Sequence, residues 1–308
     1  MKRVALMFAG QGAQQVGMGR DLYENSAAAR QIFDEADHIL GRSLASVCFN
    51  GPQEKLTESS VCQPAIYTTS LACLAALREA VEFQPVAAGG LSLGEFAACT
   101  AAGVFDMEVG LPLVARRGEL MEAACRETEG AMAAVLNADA DLLGRICAQF
   151  DVDVANFNCP GQIVISGEDR RIDQAIAALQ EAGVKKLVKL DVDGAFHSRL
   201  MASAADEFGR ILAELVFGKP DVPLVQNVVG AAVSDPADIS RNLERQITGS
   251  VRWEDCVAAM AAETPDVYLE LGPGRVLSGF MRRIDRGAAA CNVATAEDIP
   301  KVVEVLGA

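Results

Sequence analysis

The feature that most constrains this chain is the run PVAAGGLSLGEF at residues 85–96. A short apolar strand enters a turn with glycine on either side of Ser92, and the small-residue stretch EFAACTAA that follows is helix-forming. A sharp strand-to-helix turn forces the serine into a strained backbone, and Gly90 and Gly94 avoid the clashes a side chain would cause there. The hydroxyl then stands at the head of a helix, where backbone N–H groups and the helix dipole favour developing negative charge. Ser92 is therefore a candidate nucleophile. The turn suits a hydrolase and a transferase equally.

The rest of the chain continues the alternation of strand and helix. Val4–Phe8 reads as a buried strand entering the glycine turn AGQG. A helical pattern runs from about Asp21 to Leu40, with Ile32, Phe33, Ala36 and Ile39 on one face. Pro64 is placed in the first turn of a long Ala/Leu helix reaching about Ala80, and a further helix covers about Met107 to Cys125. From Gly130 to Val192 the rhythm changes. It reads as strand Ala131–Leu136, helix Ala140–Phe150, strands Val152–Asn156 and Gln162–Gly167, helix Arg170–Ala182 and strand Lys186–Val192. That βαββαβ order is the ferredoxin-like pattern. A helix after Met201, a strand near Pro223–Val229, a helix after Trp253, VYLELGPG, a strand at Ala289–Val293 and a terminal helix complete the chain. The expected fold is α/β: an α/β-hydrolase-like parallel-sheet domain (1–127 and 195–308) with a ferredoxin-like insert domain (128–194).

Composition narrows the function. A net charge of −15 argues against a general nucleic-acid binder, which needs a basic surface. No apolar run approaches the roughly 20 residues of a membrane span, and the apolar start before Gly10 is too short for a signal-peptide core. The nine cysteines form no CxxC and lie mostly in apolar stretches, as expected of reduced thiols in the cytoplasm. With only His38 and His197, and no cysteine pair at ligand spacing, no metal site is expected.

A serine of ordinary pKa needs a base. His38 lies at the polar end of a helix, in EADHIL, and reads as solvated; His197, in DVDGAFHSRLM beyond the last insert strand, is favoured. Asp191 and Asp193 lie near enough in sequence to complete a triad.

Six segments in order, GQGAQ (10–14), GLSLGEF (90–96), RRGELM (116–121), GAFHS (194–198), RQITGSVRW (245–253) and ELGPG (270–274), resemble the malonyl-CoA:acyl carrier protein transacylases. The same signatures occur in the acyltransferase domains of polyketide and fatty acid synthases. The resemblance implies that Ser92 is the nucleophile and His197 its base, oriented by the backbone carbonyl at Gln246 rather than by an aspartate. It implies an oxyanion hole from the N–H groups of Gln11 and Leu93. Arg117 would grip the malonyl carboxylate, with Met121 one helical turn away on the same face. Arg116, about 100° around the helix, would be solvated. Phe196 matches the malonyl-type form and would crowd an α-methyl group, a discrimination of roughly 1–3 kcal/mol. Leu91 departs from the histidine that many family members carry before the nucleophile.

The expected activity is ping-pong transfer from malonyl-CoA to the phosphopantetheine thiol of acyl carrier protein, with no cofactor beyond the coenzyme A substrate. Nucleic acid and membrane are not expected partners, and the chain is expected to be a monomer. The alternatives are a serine hydrolase of related architecture and a non-catalytic carrier-protein-binding module. Because carrier proteins are acidic, docking is expected to use Lys185, Lys186 and Lys189 or Arg282, Arg283 and Arg286.

Overall fold

A computed structural model describes residues 1–192 and 194–307. The large unit is built on β1 (Arg3–Phe8) and β2 (Gln84–Gly90). The insert contributes β3 (Gly130–Leu136), β4 (Asp153–Cys159), β5 (Gln162–Glu168) and β6 (Lys186–Lys189). The chain then adds β7 (Leu224–Gln226), β8 (Ala231–Val233), β9 (Val251–Arg252), β10 (Val267–Leu271) and β11 (Ala290–Val293).

The main sheet has the order β11-β10-β1-β2-β7-β8, parallel except for the edge pair β7–β8. Its central strand β1 shows why a parallel sheet reads as an unbroken apolar run. Val4, Leu6 and Phe8 face one helical layer while Ala5 and Met7 face the other, and all five are fully buried. The first layer is led by helix Ser59–Ala80, which packs against helices Met107–Glu127 and Ala27–Leu40. It is the one helix among the described residues long and apolar enough to cross a membrane, and the protein's own core covers it. The second layer centres on Trp253, Val257, Met260 and Met281.

The insert sheet has the ferredoxin-like order β6-β3-β5-β4, as expected, but is five-stranded. The fifth strand, β9, comes from outside the insert and pairs in parallel with β4, Asn156 opposite Val251. Two residues are too few for their alternation to stand out in sequence. This strand ties the small sheet to the segment just after Gln246.

Other expectations needed correction. The helix expected over 21–40 is two, Arg20–Asn25 and Ala27–Leu40, because Ser26 breaks the run and caps the second helix by accepting from Ala29 N at 3.0 Å. Pro64 lies inside its helix, which begins at Ser59. Proline removes the N–H that would reach Ser60 O. Arg42 Nη2 donates to that oxygen instead, at 3.2 Å. The last insert strand stops at Lys189 rather than Val192.

Candidate active site

Ser92 sits between the end of β2 and the Gly94–Ala101 helix with φ +51°, in the left-handed region that costs a non-glycine residue on the order of 1–3 kcal/mol. The flanking glycines are there for space. A Cβ at Gly90 would lie 2.0 Å from the carbonyl carbon of Gly94, and one at Gly94 would lie 2.1 Å from Phe8 O. The first glycine turn runs alongside, since Leu91 N donates to Phe8 O at 3.1 Å.

His197 reaches Ser92 from the other side of the fold. Its Nε2 is 2.7 Å from Ser92 Oγ, and its Nδ1 is 2.7 Å from the backbone oxygen of Gln246. A carbonyl can only accept, so Nδ1 carries the proton and Nε2 is left to receive the serine hydroxyl's. Burial, with the nearby Arg117 charge, lowers the His197 pKa to about 4 against the bonds that Gln246 and Gly249 provide. The loop holding His197 is pinned by its neighbour Arg199, whose N–H and guanidinium both bind Asp153 at the start of β4. Asp191 is exposed on the cleft wall and makes no bond to His197; Asp193 lies outside the described residues. His38 is exposed in the last turn of its helix.

Arg117 is 1% exposed, an unusual place for a guanidinium. Its Nη2 donates to Ser92 Oγ at 3.1 Å and to Gln246 Oε1 at 2.9 Å, and its Nη1 donates to Gln63 Oε1 at 2.7 Å. The Nε donor has no protein partner among the described residues. The group lies over the Phe96 ring, 5.4 Å from its centroid. Burial lowers its pKa to about 10, so it stays charged at neutral pH; buried Glu95 supplies the opposing charge. Burial in turn raises the Glu95 carboxyl to about 7, against bonds from Asn227 N and Gln226 and the pull of Arg117. Arg116 points to solvent and pairs with Glu119.

A cleft of about 680 Å³ opens over this group between the large unit and the insert sheet. Gln11, Leu91, Met121 and Phe196 line it beside Ser92 and His197. Phe196 packs on an apolar wall with Met132, Val164, Leu190 and Val192. Leu93, Arg117 and Gln246 lie beneath, buried. No partner among the described residues takes the N–H of Gln11 or of Leu93. The Gln11 side chain is held by Ser59 Oγ at 3.1 Å and Gln63 Nε2 at 3.4 Å.

Sequence reasoning missed Gln63, Asn227 and Asn158. Gln63 touches Gln11, Arg117 and Met121 at once. Asn158 lines the cleft with an Oδ1 that has no protein partner among the described residues. A buried amide in an otherwise apolar segment was the available signal for the first two, in SSVCQPAIY and VPLVQNVVG. Of the basic groups expected to dock a partner, Lys189 is committed to Asp169 and Asp173, and Arg283 to Pro160 O and Gln162. Lys185, Lys186, Arg282 and Arg286 are exposed.

Residues 6–303 match the acyl transferase domain family. The chain is 38% identical to a malonyl CoA-acyl carrier protein transacylase of Bacillus subtilis over 311 aligned positions, covering 99% of this chain and 98% of that protein. The solved malonyl-CoA:acyl carrier protein transacylase of Xanthomonas oryzae superposes with a TM-score of 0.94 at 38% identity, over 98% of each chain. A malonyl-transacylase solved in complex with a holo type II PKS acyl-carrier protein gives 0.95 at 34% identity, over 98% of this chain and 99% of that one. With its serine, histidine and buried arginine drawn together under one cleft, the chain belongs to the acyl transferase domain family and, within it, to the malonyl-CoA–acyl carrier protein transacylases.

Proposed function

We propose that this enzyme transfers malonyl from malonyl-CoA to the phosphopantetheine thiol of an acyl carrier protein, through an ester on Ser92. The observation that carries the reading is the buried Arg117 guanidinium 3.1 Å from Ser92 Oγ. A fixed positive charge at that range selects an acyl group that ends in a carboxylate. The Nε donor and Nη2 are the natural pair to receive it.

His197 Nε2 takes the Ser92 proton as Oγ attacks the thioester carbonyl. The N–H groups of Gln11 and Leu93 hold the oxyanion, a contribution typically of about 3–4 kcal/mol per donor. The intermediate collapses, the coenzyme A sulfur takes the proton back from His197, and malonyl-Ser92 remains. The carrier thiol then gives its proton to His197 and attacks the ester, and Ser92 Oγ recovers the proton as it leaves. The Gln246 carbonyl keeps Nδ1 protonated throughout, though it stabilises the imidazolium less than a carboxylate would.

Phe196 and Met121 shape the acyl end of the cleft, and Phe196 disfavours a methyl branch. The Asn158 oxygen suits an amide N–H of the pantetheine arm. Arg282 on the helix Val276–Ile284, whose Val276 and Phe280 line the cleft, and Arg286 just beyond its end join Lys185 and Lys186 as exposed cations for an acidic carrier protein. The buried Cys48, Cys62, Cys73, Cys99, Cys147, Cys159 and Cys256 are free thiols, which fits a cytoplasmic enzyme. The hydrolase alternative loses ground because the matched relatives are transacylases.

Initial-rate kinetics with both substrates varied should give parallel double-reciprocal lines, the mark of a covalent intermediate. Intersecting lines, or release of malonate to water as fast as transfer to the carrier thiol, would count against the proposal.

A further inference from the structure

Beneath the nucleophile turn lies a buried amide that the mechanism does not use. Asn227, fully buried after β7, reaches both sides of Ser92 with one side chain. Its Nδ2 donates to Gly90 O at 2.7 Å, and its Oδ1 accepts from Ser92 N at 2.6 Å. The same Oδ1 lies 3.4 Å from Gln246 Nε2, which also donates to Ser92 O at 3.0 Å. Asn227 is held in turn, because its own N–H donates to Glu95 Oε2 at 2.6 Å.

These bonds divide the turn between two amides. Asn227 fixes the peptide planes that carry Gly90 O and Ser92 N. Gln246, braced by Asn227, fixes the plane joining Ser92 to Leu93. In a trans peptide the C=O and N–H point opposite ways, so holding Ser92 O downward aims the Leu93 N–H the other way. A serine at φ +51° keeps that conformation only where its surroundings over-determine it.

We propose that Asn227 is a positioning residue for the reaction: it locks the strained turn so that Ser92 Oγ meets His197 and the Leu93 N–H faces the oxyanion. This rests on Ser92 being the nucleophile. It assigns Asn227 no contact with substrate, so its loss should spare binding and slow the chemistry.

The test measures single-turnover formation of malonyl-Ser92 in the wild type, Asn227→Ala and Asn227→Asp, with KM for malonyl-CoA and thermal midpoints alongside. Asn227→Ala should lower the acylation rate by roughly 100-fold, the usual effect of an approximately 1 Å misplacement, with KM within about 3-fold of wild type. Asn227→Asp keeps the acceptor for Ser92 N but loses the donor to Gly90 O and Cys256 Sγ, so it should recover part of the rate and no more. A loss confined to KM, or a folded Asn227→Ala at near-wild-type rate, overturns the proposal.

Should both variants fail to fold, hydrogen exchange of the wild-type enzyme decides. The Ser92 amide should exchange as slowly as core amides although its turn borders an open cleft; exchange at the rate of an exposed turn overturns the assignment. If the wild type forms no Ser92 ester, the nucleophile assignment fails instead, and the two failures are distinguishable.

Discussion

His197→Ala is expected to lower the rate of malonyl-Ser92 formation by roughly 10⁴-fold or more, the scale seen when the base of a serine nucleophile is removed. Among the described residues no other group hydrogen-bonded to Ser92 Oγ can take its proton: Arg117 Nη2, at 3.1 Å, is a donor, and Asp191 makes no bond to the site. The same geometry sets the pH dependence. Because burial and Arg117 lower the His197 pKa to about 4, the imidazole is neutral and competent across the mildly acidic range. Protonation removes the base, so the His197 limb of the wild-type kcat/KM profile should appear only as pH approaches 4, well below any change from buried Glu95, whose carboxyl is raised to about 7. An unperturbed histidine would instead lose activity near its ordinary value of about 6.5. A variant keeping more than about a tenth of the wild-type rate would contradict this account of the base.

Arg117→Ala should invert the acyl preference. A charged hydrogen bond to a carboxylate contributes about 1.5–3 kcal/mol, so losing two should cost malonyl-CoA roughly 10²–10⁴-fold in kcat/KM. Acetyl-CoA has no carboxylate to lose and should fall far less. The substitution also leaves Gln63 Oε1 and Gln246 Oε1 without their donor and Glu95 without its opposing charge, so the thermal midpoint should drop as well. The ratio of malonyl to acetyl activity, measured on one preparation, cancels that general damage. Arg117→Lys should not restore the ratio, because a single ammonium cannot reach Gln63, Gln246 and the acyl carboxylate together. An unchanged ratio in Arg117→Ala would remove the clamp from the account.

What was legible in the sequence follows from how local each feature is. The turn around Ser92 is encoded within about ten residues, and the alternation in residues 130–189 was enough to read a ferredoxin-like insert. His197 was legible because the chain has only two histidines. Gln246 was not, since a backbone carbonyl leaves no residue-type signature; only the resemblance pointed there. Gln63 and Asn227 act across separations of more than 50 and 130 residues, so nothing near them in sequence reveals their partners. Leu91, the local departure from the usual pattern, lines the cleft and makes that stretch of its wall apolar. Pro64 misled because its neighbours favour helix on both sides, and only Arg42, from another segment, replaces the bond it removes.

The most direct test of the account is mass spectrometry of the enzyme mixed separately with malonyl-, methylmalonyl- and acetyl-CoA, followed by peptide mapping. The account predicts a malonyl adduct on the peptide bearing Ser92, much less adduct from the other two donors, and none in Ser92→Ala. Malonyl transfer that proceeds without an adduct, an adduct on another residue, or acetyl trapped as readily as malonyl would contradict it.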